Sequence, residues 1–378
     1  MKVALQKQID LTVVGPEAPL AAGITDRFQK EGLPVFGASR AAAEIESSKV
    51  FAKKLMQKYH IPCGKGASFT DFAGAKDYVE QQSFPIVIKA DGLAAGKGVI
   101  IAESVAEARD ALSTFMESKT LGEAGQRVLI EEHLSGNEMS AFAFTDADAV
   151  VPMVSACDYK RVYDGGRGPN TGGMGSYSPP CFLNEALAHT VTETIMKPAV
   201  SAMNEEKRPY RSVLYGGLMI TNNGPKVLEF NARFGDPETQ VVLPRLKTDL
   251  VAIMQAVVDN TLHQLEIEWS EDACVGVVMA SGGYPGSYQT GFPISGLDDL
   301  NKDILVFHAG TRLENGKIVT SGGRVITVVA TGKSLAEARE KVYANLPRVH
   351  FNGCHYRRDI AEIGNNETWR VLERGYRG

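Results

Sequence analysis

The chain has 378 residues, a length that allows two to three domains and a proper core. Its 40 Lys and Arg against 45 Asp and Glu leave a formal net charge of −5, which argues against a chain built chiefly to neutralise nucleic acid or an anionic membrane surface. With 44% hydrophobic and 22% charged residues it reads as globular rather than disordered.

The first expected strand, residues 9–14 (IDLTVV), is followed by Gly15-Pro16-Glu17 and a helical stretch with Leu20, Ile24 and Phe28 at a spacing of four. A second strand at 33–37 completes a βαβ unit whose loop lies at the carboxyl end of the first strand, where α/β sheets place ligands. The chain starts only a few residues before that strand, so this sheet is expected to lack its first part. Residues 39–59 read as helix with a cap at Ser39 and a break near Ser47-Ser48. Strands at 84–90 and 98–102 enclose a glycine-rich turn and suggest a hairpin flap; a helix at 104–115 and a strand at 127–132 follow. Two strands are expected within 139–157. Residues 158–180, polar and with six glycines, read as a long segment without regular structure, a length usually kept for function. Beyond it lie a helix at 184–203, a hairpin of 214–221 with 226–231, and a helix at 249–259. The acidic stretch 266–272 marks a boundary, after which strands at 274–280 and 323–330 and a helix at 334–345 indicate a small α+β domain.

Five cysteines (Cys63, Cys157, Cys181, Cys274, Cys354) are scattered without CxxC spacing, so neither a disulfide scaffold nor a thiolate zinc site is expected. They fit a reducing compartment. The start, MKVALQKQID, turns polar before an apolar signal core forms, and no apolar run approaches the roughly 18 residues of a membrane span. The expected location is the cytoplasm.

Four stretches could carry chemistry. Residues 91–98 invite a P-loop reading that fails, because the glycines are one residue too close and Gly98 stands where a magnesium-binding hydroxyl belongs. What remains is a glycine-rich hairpin with Lys89 on the entering strand and Lys97 at the tip, a set of amides and ammonium groups that suits a triphosphate. A flexible exposed turn is the plainer alternative. Glu229 and Asn231 share one face of a strand end, and a carboxylate with an amide oxygen suits Mg²⁺ bridging phosphates, although a solvated strand end has the same pattern. Arg233, Asp236 and Glu238 follow around Gly235, charges that are costly to leave unpaired. The strand end Glu131-Glu132-His133-Leu134, with Glu138, could offer backbone to an adenine edge and a carboxylate to ribose hydroxyls. The segment holding Asp158, Lys160, Arg161, Asp164, Arg167 and Asn170-Thr171-Gly172-Gly173-Met174-Gly175 is a loop of mixed charge. His350, Cys354 and His355 read as structural, and no GxSxG or HExxH motif supports covalent or zinc-hydrolase chemistry.

In order, GPEAPL (15–20), SKVFAKKLM (48–56), PIVIKADGLAAGKGV (85–99), EEHLSGNE (131–138), GPNTGGMGSYSP (168–179), EFNARFGDPETQ (229–240) and GGYPG (282–286) resemble the phosphoribosylamine–glycine ligase family of the ATP-grasp superfamily. The likeness spans nearly the whole chain, and RFGDPETQ is its most specific part. It implies a mixed α/β and α+β architecture: an ATP-grasp fold of two α+β subdomains gripping ATP, a partial Rossmann-like N-terminal domain and a small C-terminal α+β domain. The expected divisions are 1–47, 48–265 with a lid at about 62–133, and 266–378. Family members begin with a further strand and a GxGGREH-type loop, whereas here MKVALQKQ runs straight into IDLTVV, in line with the half-sheet read above.

The resemblance also implies roles. Lys49 and Lys89 would contact the phosphates of ATP, and the flap with Gly92, Gly96, Lys97 and Gly98 would close over them. Glu131, Glu132 and Leu134 would line the adenine, and Glu138 the ribose. Glu229 and Asn231 would ligate Mg²⁺, with Mn²⁺ as a substitute. Arg233 would stabilise the transferring phosphoryl group, with Asp236 as the second catalytic group. Gly15, Pro16, Glu17, Asp158, Lys160, Arg161, Asn170, Thr171, Gly172, Gly173, Met174 and Pro237 would face glycine and 5-phosphoribosylamine. The product would be glycinamide ribonucleotide, formed by a monomer or weak homo-oligomer without nucleic-acid or membrane partners. Competing readings are another ATP-grasp carboxylate–amine ligase and a shortened, non-catalytic nucleotide-binding relative. A dinucleotide oxidoreductase would need a GxGxxG that Gly15-Pro16-Glu17 does not supply.

Overall fold

A computed structural model describes residues 1–93, 98–118 and 122–362. It divides into two compact units, the first formed by Met1–Met153, Asn184–Phe234 and Asp249–Glu266, the second by Val154–Leu183, Gly235–Thr248 and Ile267–Gly378. Segments 154–183 and 235–248 thus fall in the same unit as the C-terminal part of the chain.

In the first unit the βαβ element is present but short: Thr12–Val13 pairs in parallel with Val35–Phe36, and the helices Glu17–Ala21 and Ile24–Lys30 lie between them in the chain. The expected helix at 39–59 is broken at Ser48, whose extended backbone (φ −131°, ψ 106°) separates Glu44–Ser47 from Lys49–Lys58. The Ser48 hydroxyl accepts from the Phe51 N–H at 3.1 Å and so caps the second helix, which explains why a serine sits at the break.

A four-stranded antiparallel sheet follows, in the order Gly66–Phe69, Val128–Glu132, Ile86–Ala90, Val99–Ala102. Ile86, Ile88 and Ala90 alternate inward with Val128 and Ile130, against Ala75 and Val79 of helix Phe72–Val79 and Ala108 and Leu112 of helix Val105–Leu112. With a period of two, Lys89 and Glu131 must project from the opposite face. That alternation is what sets the site. A second antiparallel sheet has the order Gly224–Asn231, Arg211–Thr221, Asn137–Asp146, Val150–Pro152.

The second unit is built on a five-stranded antiparallel sheet in the order Ile304–His308, Arg324–Gly332, Ala273–Ala280, Gly175–Ser178, Cys157–Asp158. Helix Leu335–Asn345 covers it through Leu335, Ala338 and Val342, packed in one core with Val275, Val277 and Val328. Here the expectation of an unstructured 158–180 is corrected. Arg161–Tyr163 and Arg167–Asn170 form a hairpin, and Gly175–Ser178 is a fully buried inner strand. The serines supply the reason: Ser176 Oγ donates to the Pro237 carbonyl at 2.8 Å and Ser178 Oγ to that of Ser155 at 2.7 Å, so polar residues that read as loop are satisfied inside the sheet.

Candidate active site

Lys89 leaves its strand on the face away from the helices and is nearly buried. Its ammonium pairs with Glu131 Oε2 at 2.6 Å and donates to the carbonyl of Leu228 at 2.9 Å. That carbonyl is available for a physical reason. The ladder runs Gly217↔Glu229 and then Leu218↔Val227, so Leu228 is a bulge residue without a cross-strand partner. Lys89 is thereby tied to the residue immediately before Glu229, the first member of the expected acid–amide pair. The other Glu131 oxygen is held by Lys53, whose ammonium also donates to the Gly64 carbonyl at 2.6 Å. The Glu131 side chain is therefore engaged by two lysines, and only its backbone is left to serve a purine edge.

Lys49 begins the helix capped by Ser48 and donates to the Gly92 carbonyl at 2.9 Å. Burial lowers its pKa, and Lys89 adds to the lowering, while Glu229, Asp91 and Glu46 act in the other direction. Asp91, buried at the strand's end, fixes this helix start: its carboxylate accepts from Ser48 Oγ at 2.9 Å and the Val50 N–H at 3.0 Å, and pairs with Arg127 at 2.5 Å. Gly92, with φ +147°, opens the flap turn, and the Gly98 carbonyl closes it by accepting from the Ala90 N–H at 2.8 Å. Gly96 and Lys97 lie outside the described residues.

Glu229 and Asn231 follow the bulge, and their alternation puts both on one face of strand Gly224–Asn231. Gly217 opposite is the right residue, since a Cβ there would stand 3.3 Å from Glu229 Cγ. Arg233 Nε donates to Glu17 Oε2 at 2.9 Å, and its Nη2 pairs with Glu46 Oε1 at 3.2 Å. The Glu46 carboxylate also accepts from the Ala232 N–H at 2.7 Å. Burial raises the Glu46 pKa, against the pull of Arg233 and the Ala232 N–H, and the neighbouring Glu17 and Glu229 raise it further. Gly15 and Pro16 are exposed at the end of the first strand, just before Glu17. Glu132 accepts from the Lys65 N–H at 2.9 Å and pairs with Lys226 at 3.2 Å. Partial burial opposes ionisation there, but these two partners hold its carboxyl below the usual range. Leu134 is half-buried and Glu138 exposed.

The donor set fits a hard divalent ion. Mg²⁺ takes one or two protein oxygens and completes its shell with phosphates and water, which is what one carboxylate and one amide on a strand face can offer. Among the described residues no group of three or more His, Cys, Asp and Glu side chains is placed to hold a metal by itself.

The second unit gathers the other expected residues. Asp158 pairs with Lys160 at 3.0 Å, and Arg161 donates to the Gly168 carbonyl at 2.7 Å across its hairpin. Thr171 returns to the Lys160 carbonyl through its N–H at 2.7 Å and its hydroxyl at 2.8 Å. Arg324 links loop to turn: it donates to the carbonyls of Gly172 at 2.7 Å and Asp236 at 3.1 Å, and pairs with Asp236 Oδ2 at 2.5 Å. Gly173 has φ +110°, and a Cβ there would meet Pro237 Cδ at 2.3 Å, so the loop lies on the turn with no room to spare. Asn170 is exposed. Met174 departs from its expected place facing substrate. Its side chain is fully buried with Val162 and Ala280, and its N–H and carbonyl are taken by Tyr159 and Val278, so it supports the loop from below. His355, read as structural, hydrogen-bonds the Val162 carbonyl at 2.9 Å through Nε2.

Sequence reasoning missed Lys53, Glu46, Asp91 with Arg127, and Arg324. Lys53 carried a signal: it falls among Val50, Ala52, Leu55 and Met56 on the buried side of its helix, an apolar setting where a cation needs a partner. Arg324 carried none, because its partners lie far away in the chain.

Three sequence profiles match the chain: the ATP-grasp (A) domain of phosphoribosylglycinamide synthetase over residues 47–239, its C domain over 274–363 and its N domain over 1–46. A phosphoribosylamine–glycine ligase from Halalkalibacterium halodurans is 54% identical over 358 residues, covering 94% of this chain and 83% of that protein. The crystal structure of a phosphoribosylamine–glycine ligase from Thermotoga maritima superposes with a TM-score of 0.81 at 36% identity, covering 89% of this chain and 84% of the other. A biotin carboxylase complex from Campylobacter jejuni, 16% identical, shares the fold with a TM-score of 0.74, covering 98% of this chain and 80% of its own.

Proposed function

Since the chain belongs to the phosphoribosylglycinamide synthetase family and joins glycine to 5-phosphoribosylamine with ATP in purine biosynthesis, we propose that the side chains gathered above carry that reaction. A carboxylate is a poor electrophile at neutral pH. Glycine's carboxylate oxygen therefore attacks the γ-phosphorus of ATP, ADP leaves, and glycyl phosphate forms. The amine of phosphoribosylamine then attacks the acyl carbon, phosphate leaves with the electron pair of the C–O bond, and the amine loses a proton. The protein's share is alignment and charge neutralisation.

In the first unit, Lys49 and Lys89 would hold the triphosphate under the flap that runs from Gly92 through Gly96 and Lys97 to Gly98. The backbone of Glu131, Glu132 and Leu134 would line the adenine, and Glu138 would accept from the ribose. Glu229 and Asn231 would hold Mg²⁺ or Mn²⁺, which when bound neutralises phosphate oxygens. Arg233 would face the phosphoryl group in transfer, with Gly15, Pro16 and Glu17 toward substrate. In the second unit, Asp158, Lys160, Arg161, Asn170 to Gly173, Asp236 and Pro237 would take glycine and phosphoribosylamine. Closure of the flap would exclude water, to which glycyl phosphate would otherwise be lost. The domain divisions 1–47, 48–265 and 266–378 belong to the same reading. So do action in the cytoplasm, supported by five free cysteines and by the lack of any described helix long and apolar enough to cross a membrane, and a monomer or weak homo-oligomer as the working form.

The observation that carries this assignment is the bond from Lys89 to the Leu228 carbonyl, one residue before Glu229. Glu229→Gln tests it by ADP release with glycine and freshly made phosphoribosylamine. Turnover should fall at least about a hundredfold, equivalent to roughly 2.7 kcal/mol. A near-normal rate at saturating magnesium would remove Glu229 from the site.

A further inference from the structure

Two ammonium groups share one buried carboxylate: Lys53 on Oε1 of Glu131 and Lys89 on Oε2, with side-chain exposures of 3%, 6% and 10% for Lys53, Glu131 and Lys89. Together they leave one positive charge in surroundings that hydrate it poorly. A buried charge without a counter-charge is costly, and here the cost falls when an anion arrives. Lys53 is one helical turn beyond Lys49, so the two project from the same side of helix Lys49–Lys58. Of these lysines, Lys53 is the most deeply buried. It bonds the Gly64 carbonyl at 2.6 Å besides Glu131 and has almost no exposed surface to offer a nucleotide.

We propose that Lys53 is a positioning residue for the nucleotide: by satisfying Glu131 it leaves the Lys89 ammonium able to turn to a polyphosphate. Without Lys53, the carboxylate would draw Lys89 to itself with both oxygens, and the local surplus of charge that attracts an anion would vanish. The inference rests on the reading of Lys89 as a phosphate contact. It makes Lys53 a residue that acts through another and touches no substrate.

The test measures the affinity of the full chain for a non-hydrolysable ATP analogue by calorimetry, together with the melting temperature and the KM for glycine. Lys53→Met should weaken the analogue about tenfold, a change of roughly 1.4 kcal/mol, with the glycine KM within about twofold. Lys53→Arg, which keeps the charge, should restore affinity. Lys53→Met combined with Glu131→Gln should bind within about threefold of Glu131→Gln alone, because neutralising both partners frees Lys89 again. Should Lys53→Met not fold, Lys53→Gln removes the same charge while keeping a donor for Gly64. A lowered melting temperature with unchanged analogue affinity would make Lys53 merely structural, and additive effects in the double variant would equally overturn the proposal. Lys89→Ala separates the two levels of the argument. If it does not weaken the analogue, the phosphate role of Lys89 and this inference fall together; if it does while Lys53→Met does not, only this inference falls.

Discussion

Arg233 is the residue on which structure and chemistry make competing demands, and Arg233→Met separates them. The guanidinium bonds Glu17 at 2.9 Å, Glu46 at 3.2 Å and the Phe234 carbonyl at 3.1 Å, while the resemblance assigns it to the phosphoryl group. Glu17, with its side chain 36% exposed, is screened by water, and losing that pair costs at most about 1 kcal/mol. Glu46 is only 7% exposed and would be left as a buried carboxylate without its cation, a loss on the order of 3 kcal/mol. Its N–H bond from Ala232 remains, and protonation offers relief, so about 2–3 kcal/mol in all is the expectation. The relief fixes a pH signature. Burial already raises the Glu46 pKa above 4.5, and Arg233 is the largest influence opposing it, so the variant raises it further. A carboxyl whose folded pKa lies above its unfolded one costs nothing at pH below the unfolded value, and its cost grows as pH rises through the folded value. Urea midpoints of the two proteins should therefore nearly coincide at about pH 5 and separate toward neutral pH. If Arg233 also stabilises the transferring phosphoryl group, kcat should fall by about 10²–10³ under conditions where the variant is fully folded. A kcat within about fivefold would make Arg233 a strut only, and a midpoint difference independent of pH would refute the account of Glu46.

Two further substitutions probe supports rather than chemistry. Ser48→Ala removes a helix cap and a hydrogen bond to buried Asp91, and should cost about 1–2 kcal/mol in a denaturant titration; an unchanged midpoint would mean the cap is not what starts the helix. Gly173→Ala forces a side chain onto Pro237 at φ +110°, and should cost about 1–3 kcal/mol or displace the loop. It should raise the KM for glycine or phosphoribosylamine with the ATP KM held, and a rise confined to ATP would contradict the assignment of this loop to those substrates.

Much of the first unit was legible because its signals are local. The helix expected at 39–59 appears from Glu44 to Lys58 with its break at Ser48, and the strands at 84–90 and 98–102 pair as Ile86–Ala90 with Val99–Ala102. The hairpin turning near Asn222-Asn223-Gly224 closes with Thr221 opposite Gly224. Residues 158–180 were not legible. Glycine is read as a loop former for its backbone freedom, and serine and aspartate because their side chains compete with the backbone for hydrogen bonds, but Ser176 and Ser178 spend that capacity on carbonyls distant in sequence, and Ser178 also accepts from buried Arg245 at 2.6 Å. A strand held by such partners has no period to read.

The same distinction separates the parts of the site. Lys89, Glu229 and Asn231 stand out in the sequence because glycines, strand ends and alternation mark them. Glu46 and Asp91 do not, and Lys53 does so only through its apolar setting, since their worth lies in a second charge delivered from elsewhere: Glu131 for Lys53, Arg233 for Glu46, Arg127 for Asp91. Lys53 and Glu46 join a helix to a strand or to the turn that follows one, Arg127 meets Asp91 beside two neighbouring strands, and each pair restrains a side chain or a helix start that bears an expected ligand. Motifs therefore report which groups meet the substrate, while the charges that aim those groups become visible only when the chain is folded. An enzyme that works by alignment is tuned through such aiming charges, which is why the decisive substitutions here are Lys53→Met and Arg233→Met rather than changes within the glycine-rich flap.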